Sequence, residues 1–223
     1  MTIDLESLRL AVYRSLAETG RVPDDRSLAD MSGVAEADLP AGLRALHDQR
    51  HLVLGPGGTI ELAHPFGTRD FGFSVKSDRT LWWGGCVWDS FAIPNLVPDQ
   101  SPVLVATQCP GCGRAHAWTV THEGPPEGSQ IAHFLVPVSR IWDDVLYTCE
   151  RQRVFCDERC LDAWLASEGL ERGYVTSLQT AWRLASDWYT GRLERGYRRR
   201  EPAAAAAYMR AAGLHGSFWG LPD

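Results

Sequence analysis

The sequence predicts an α+β fold, with a winged-helix-like helical unit over residues 1–66 and a mixed sheet-and-helix core over residues 67–223. Three observations carry this expectation. Apolar residues recur at helical spacing through the N-terminal segment. Short runs rich in Val, Leu, Phe and Trp alternate with turn clusters in the middle of the chain. Helical patterns return towards the C-terminus, and such a distribution fits an α+β assembly. With 44% hydrophobic residues and nine tryptophans in 223 positions, the chain can bury a substantial core.

The elements follow in order. Leu5, Leu8, Val12 and Leu16 share one helix face, and Pro23 with Asp24-Asp25 ends that helix. Ser27 is a candidate cap for a short helix running to Met31. Residues 37–51 predict a third helix with Leu39, Leu43 and Leu46 inward. Leu52-Val53-Leu54, the turn Gly55-Pro56-Gly57-Gly58 and residues 59–62 predict a hairpin. Strands are expected at 71–75, 103–106, 117–120 and 131–136, and a short helix over 89–96 that ends near Pro94 or Pro98. Further helices are expected over 159–169, 178–193 and 203–212.

Charge and composition narrow the function. A net charge of −6 argues against a general nucleic-acid binder. The stretch Ala35-Glu36-Ala37-Asp38-Leu39 is acidic where a DNA-reading helix would be basic, and Arg198-Arg199-Arg200-Glu201 reads as a solvated run. No segment approaches the roughly 18 apolar residues of a membrane span. The N-terminus lacks the basic start and apolar core of a secretory signal. A cytoplasmic, reducing location is therefore expected, where paired cysteines serve as ligands or catalysts more often than as disulfides.

The six cysteines fall into two groups. Cys109-Pro110-Gly111-Cys112 is a tight turn that can aim two thiolates at one point, and Cys156 and Cys160 share a face if both lie on a helix. Together these four predict a structural zinc site; buried, metal-free thiols are the plain alternative. Cys86 and Cys149 are left over. Cys86 lies in Trp82-Trp83-Gly84-Gly85-Cys86-Val87-Trp88-Asp89, so the thiol and a carboxylate three residues on face the same side. Trp82, Trp83, Trp88 and Phe91 are expected to enclose them, and burial would raise the Asp89 pKa until it carries a proton near neutrality. Two thiols and one proton carrier suit chemistry on a soft, thiophilic centre.

The segment from Trp83 to Pro94 resembles the active-site segment of the organomercurial (alkylmercury) lyases, in which a cysteine is followed by an aspartate and an apolar stretch with a proline. Cys149 ahead of Val154-Phe155 is similar to the second family cysteine. The helical N-terminal unit and the tail, with Trp188-Tyr189 and residues 213–219, also resemble that family. The resemblance implies carbon–mercury cleavage with Cys86, Asp89 and Cys149 as catalytic residues, and with Hg(II) left between Cys86 and Cys149. It implies an organomercurial substrate, cytosolic thiols or a mercuric reductase as Hg(II) acceptor, and no organic cofactor. The Trp-rich flank and the four extra cysteines depart from the family pattern. Soft-metal sequestration, metal-responsive regulation and a biosynthetic role stay open at this point.

Overall fold

The computed structural model describes residues 3–222. Helix α1 (Leu5–Thr19) starts at Asp4, whose carboxylate accepts the Ser7 N–H at 3.0 Å. Such a cap is worth about 1 kcal/mol. Helix α2 (Asp25–Ser32) is capped by Asp24, and the Ser27 N–H is the group being capped. Ser27 is thus not the cap; the aspartate one residue ahead of the helix takes that position. Helix α3 (Leu39–Asp48) is shorter than expected because residues 36–38 form a separate 3₁₀ turn; Leu39, Leu43 and Leu46 face inward.

The hairpin of β1 (Val53–Leu54) and β2 (Ile60–Ala63) forms as expected, but it does not stand alone. It extends a seven-stranded antiparallel sheet with β3 (Phe66–Gly67), β4 (Phe73–Lys76), β5 (Leu81–Gly84), β6 (Val103–Gln108) and β7 (Ala115–Val120), in the order β1-β2-β3-β5-β4-β6-β7. Alternation is clean in the last two strands. Val103, Val105, Trp118 and Val120 are buried, while Leu104 and Thr119 are exposed.

Helix α4 (Val87–Leu96) packs on the buried face of the sheet and is covered by α7 (Leu178–Ser186), so nearly every α4 residue is buried. A helix apolar on all sides requires such a double cover. A second sheet, in the order β10-β8-β9, pairs β8 (Ile131–Phe134) with β9 (Arg153–Phe155) and β10 (Tyr174–Ser177). Helix α5 (Val145–Glu150) precedes β9, α6 (Glu158–Glu168) follows it, and α8 (Pro202–Ala211) lies near the end of the chain.

The helix expected over 178–193 stops at Ser186. The Tyr208 hydroxyl of α8 accepts the Asp187 N–H and bonds the Arg183 and Leu184 carbonyls, the groups that the next turn would have joined. Arg9 is fully buried, is paired with Glu6, and donates to the carbonyls of Arg192 and Glu194 at 2.6 and 2.7 Å. These bonds hold the segment after α7 against α1. The segment instead turns back across the core and brings Tyr189 and Arg192 towards α4.

Candidate active site and cysteine tetrad

Cys86 is the N-cap of α4. Its backbone is extended (φ −165°), and its sulfur accepts the Asp89 N–H at 3.5 Å. The thiol donates back to Asp89 Oδ2 at 3.4 Å. Ordinary capping chemistry therefore places a thiol and a carboxylate side by side within one helical turn. Cys149, near the end of α5, adjoins Cys86, and its sulfur, His64 and the Asp89 carboxylate all lie within 4.8 Å of one another. The structure thus brings together the three residues read from the sequence. All three are buried: Cys86 is 2%, Asp89 1% and Cys149 3% exposed.

Two partners of Asp89 were not read from the sequence. His64 Nδ1 donates to Oδ2 at 3.0 Å, and the Tyr189 hydroxyl donates to Oδ1 at 2.6 Å. Burial pushes the Asp89 carboxyl up, as expected. The field of His64 and the hydrogen bonds from His64, Tyr189 and Cys86 outweigh it, and the pKa lies below the ordinary carboxylate value. This corrects the sequence expectation: Asp89 rests as a carboxylate. Burial, the Cys149 contact and the Asp89 charge instead drive the Cys86 thiol well up. The interaction with Cys86 lowers the Cys149 pKa, but burial and the charges of Asp89 and Glu150 prevail and raise it. The resting site is two neutral thiols beside an ionised acid.

Gly85 fixes the carboxylate from below. A β-carbon there would fall inside van der Waals contact of Asp89 Oδ2 and Leu62 Cδ2. The other side opens into a cavity of about 550 Å³ that Cys86, Asp89 and Cys149 all line. Of the four aromatic residues expected to enclose the site, only Trp88 lines it. Trp82 points into the core and donates to the Leu16 carbonyl at 2.8 Å, whereas Trp83, its neighbour on β5, faces the opposite side of the sheet. Phe91 packs edge-on against Trp118. Trp142, Trp188, Tyr189 and Trp219 complete the cavity wall. Arg199 and Arg200, read as a solvated run, also line it. A larger groove of about 1240 Å³ between the N-terminal helices and the sheet contains none of the six cysteines.

The other four cysteines converge elsewhere. The sulfurs of Cys109, Cys112, Cys156 and Cys160 lie within 4.8 Å of one another, with Cys112 and Cys156 at 3.5 Å. A tetrahedral ion with bonds of about 2.3 Å needs sulfur–sulfur edges of about 3.8 Å, which this cluster fits. The turn between β6 and β7 supplies the first pair, closed by Cys109 N–H to the Arg114 carbonyl at 2.9 Å. Cys156 is not on a helix as expected; it precedes the Asp157 cap of α6, and only Cys160 lies in the first turn. Gly111 allows the meeting, since a β-carbon would run into the Cys160 backbone. Burial and the adjoining thiols push Cys156 up to about 11 and Cys160 up to about 12, while the Arg114 N–H and the neighbouring thiols bring Cys112 down to about 7. Four thiolates cannot coexist there without a cation. A closed four-sulfur set leaves no coordination position for chemistry.

Comparison with known proteins places the geometry in a family. The fold is similar to a solved structure described as the mercury-bound form of MerB2, with a TM-score of 0.62 and 13% sequence identity, covering 86% of this chain and 100% of that one. At that identity the likeness carries the fold, and the family is carried by the sequence: it is that of the alkylmercury lyases. The sequence model of that family, MerB, matches residues 66–190, more than half of the chain, and the chain belongs to the alkylmercury lyase family. No curated protein sequence matches. Among the described residues, no helix is long and apolar enough to cross a membrane.

Proposed function

We propose that this protein cleaves carbon–mercury bonds by protonolysis, with Cys86, Cys149 and Asp89 carrying the chemistry. The observation that supports this best is the buried Cys86 thiol, 3.4 Å from an ionised Asp89 and beside Cys149, at one wall of an aromatic-lined cavity. Mercury(II) is soft, so thiolates displace its other ligands. An incoming R–Hg–SR′ exchanges its R′S ligand for one cysteine sulfur, and the cysteine proton leaves on the departing thiol R′SH. The second cysteine then binds mercury and passes its proton to Asp89. Three-coordinate mercury places more negative charge on carbon, and Asp89 returns that proton to it. The products are R–H, R′SH and Hg(II) held between Cys86 and Cys149, to be removed by small thiols or a reductase.

The low Asp89 pKa suits this order of events. The carboxylate must be empty to accept the thiol proton, and the raised thiol pKa values keep those protons in place until mercury arrives. Pure sequestration would need sulfur alone and would gain nothing from a buried acid with two dedicated donors. The experiment is to incubate the protein with phenylmercury or methylmercury in excess small thiol and to measure benzene or methane. Mercury retention without hydrocarbon would reject the lyase reading.

Tyr189 gives a prediction of its own. Its hydroxyl donates to Asp89 and holds the carboxyl down. Tyr189→Phe is expected to raise the acid limb of the kcat/KM profile by about one pH unit, since one unit corresponds to about 1.4 kcal/mol and a hydrogen bond to a charge is worth about that or more. An unmoved acid limb would remove Tyr189 from control of Asp89.

For the tetrad we propose a structural zinc ion, held by Cys109, Cys112, Cys156 and Cys160. His116 Nε2 lies 3.4 Å from Cys156 Sγ, where it can orient that ligand. Elemental analysis of the purified protein is expected to give one zinc per chain. Its chelation is expected to lower the thermal midpoint and loosen the β6–β7 turn against α6. A metal-free protein of unchanged stability would refute the assignment.

A further inference from the structure

The aromatic cavity carries a feature that protonolysis does not use. Arg50, Arg192, Arg199 and Arg200 all line it, in a protein whose overall charge is negative. Arg50 and Arg199 both lie over the Trp142 ring, at 5.4 and 5.3 Å from its centre. Arg50 is held there from a left-handed backbone (φ 60°), a conformation that a non-glycine residue adopts at a cost. Arg192 is 5% exposed, donates to the His64 carbonyl at 2.7 Å and keeps its Nε buried without a partner.

None of the four forms an ion pair with a carboxylate among the described residues. Asp143, the one acid lining the cavity besides Asp89, is paired with Arg140 at 3.0 Å. The crowding is felt electrostatically: burial and the charges of Arg50 and Arg192 lower the Arg199 pKa. Guanidinium groups that line a cavity without an ion-paired carboxylate of their own are suited to receive one from a ligand.

We propose that this cluster recognises a carboxylate on the incoming mercury compound, so that the preferred substrate is an anionic organomercurial–thiol adduct. The inference rests on the lyase reading for its substrate, but capture of mercury can be measured without carbon–mercury cleavage. The carboxylate can belong to the thiol ligand or to the organic group. Both present the same chemistry to the arginines, and the two can be separated by choice of probe.

The test is the second-order rate of mercury capture, followed by quenching of the cavity tryptophans, with hydrocarbon release measured in parallel. Phenylmercury is offered as its mercaptopropionate, mercaptoethanol and cysteamine adducts; mercuribenzoate is offered as its mercaptoethanol adduct. At low salt the anionic adducts are expected to be captured about tenfold faster than the cationic one, with the neutral adduct between them. Added salt should compress the spread. A gain confined to mercaptopropionate would assign the carboxylate to the thiol ligand, and one confined to mercuribenzoate would assign it to the organic group.

In the Arg50→Gln/Arg199→Gln protein the ratio of anionic to cationic rates is expected to fall towards one, and Arg199→Glu should favour the cysteamine adduct. Equal capture of all adducts by the unaltered protein, or a preference that survives in the double variant, would overturn the proposal. Charge-selective capture without hydrocarbon would support the receptor and reject the lyase reading. Hydrocarbon release without charge selectivity would do the reverse.

Discussion

Replacing Cys149 with serine is expected to abolish carbon–mercury cleavage, by on the order of a thousandfold or more, in a protein that still folds. The substitution keeps nearly the same volume in a buried position, and a hydroxyl can take over the contact with Cys86. The chemistry is what fails. An alcohol oxygen is a hard donor with little affinity for mercury, and the carbon then never gains the charge that a second sulfur would confer. The variant is expected to bind one equivalent of organomercurial at Cys86 and to hold it uncleaved. Circular dichroism and the thermal midpoint check the fold, and headspace analysis checks the hydrocarbon. Turnover near the unaltered rate would remove Cys149 from the mechanism.

Asp89→Asn addresses the proton. The amide is almost the same shape but can neither accept the thiol proton nor return it. The expected result is normal capture of mercury followed by a stall, with hydrocarbon release reduced by about 10² to 10⁴, the usual range for loss of a positioned acid–base group. Capture and release must therefore be timed separately, and fast release would show that the proton comes from elsewhere. The substitution also acts on stability. Because the Asp89 pKa is lowered in the fold, its ionised form stabilises the protein above the unfolded value of about 3.9, and that contribution is lost as pH falls through the folded value. The amide of the Asp89→Asn variant has no such dependence, so the stability of the variant relative to the unaltered protein should improve towards low pH.

Much of this site was legible in the sequence because it is local. Cys86 and Asp89 are one helical turn apart, and the cap geometry that joins them is a property of four consecutive residues. Cys149 came first by elimination, as a thiol left over from the tetrad pairs, and then from likeness to the family; nothing in its own neighbourhood marks it. His64 and Tyr189 reach Asp89 from 25 and 100 residues away, distances over which neither periodicity nor spacing carries information. The tetrad was legible as pairs of cysteines, but the position of Cys156 ahead of its helix was not. That depends on Asp157 winning the cap.

The errors in the aromatic wall have one physical origin. Trp82 and Trp83 lie on β5, a strand that the sequence pattern does not announce, and a strand sends adjacent side chains to opposite faces. On a loop, both could surround Cys86; on a strand, neither need do so. The helix expected to reach 193 failed for a different reason. Its ending falls where the Tyr208 hydroxyl, 21 residues past Asp187, takes the backbone groups of the next turn, and the apolar spacing alone favours continuation.

The crowding beneath Asp89 has a consequence for how such a protein can diversify. With Gly85 pressed against the carboxylate, that side of the chamber tolerates no added atom, and the reacting groups are locked to their helix. The cavity wall also includes Ala205 and Ala206 of α8, outside the helix that carries Cys86 and Asp89, where a longer side chain would narrow the room. Selection for larger or smaller organic groups has its open ground there, and the chemistry can stay constant while the choice of molecule drifts.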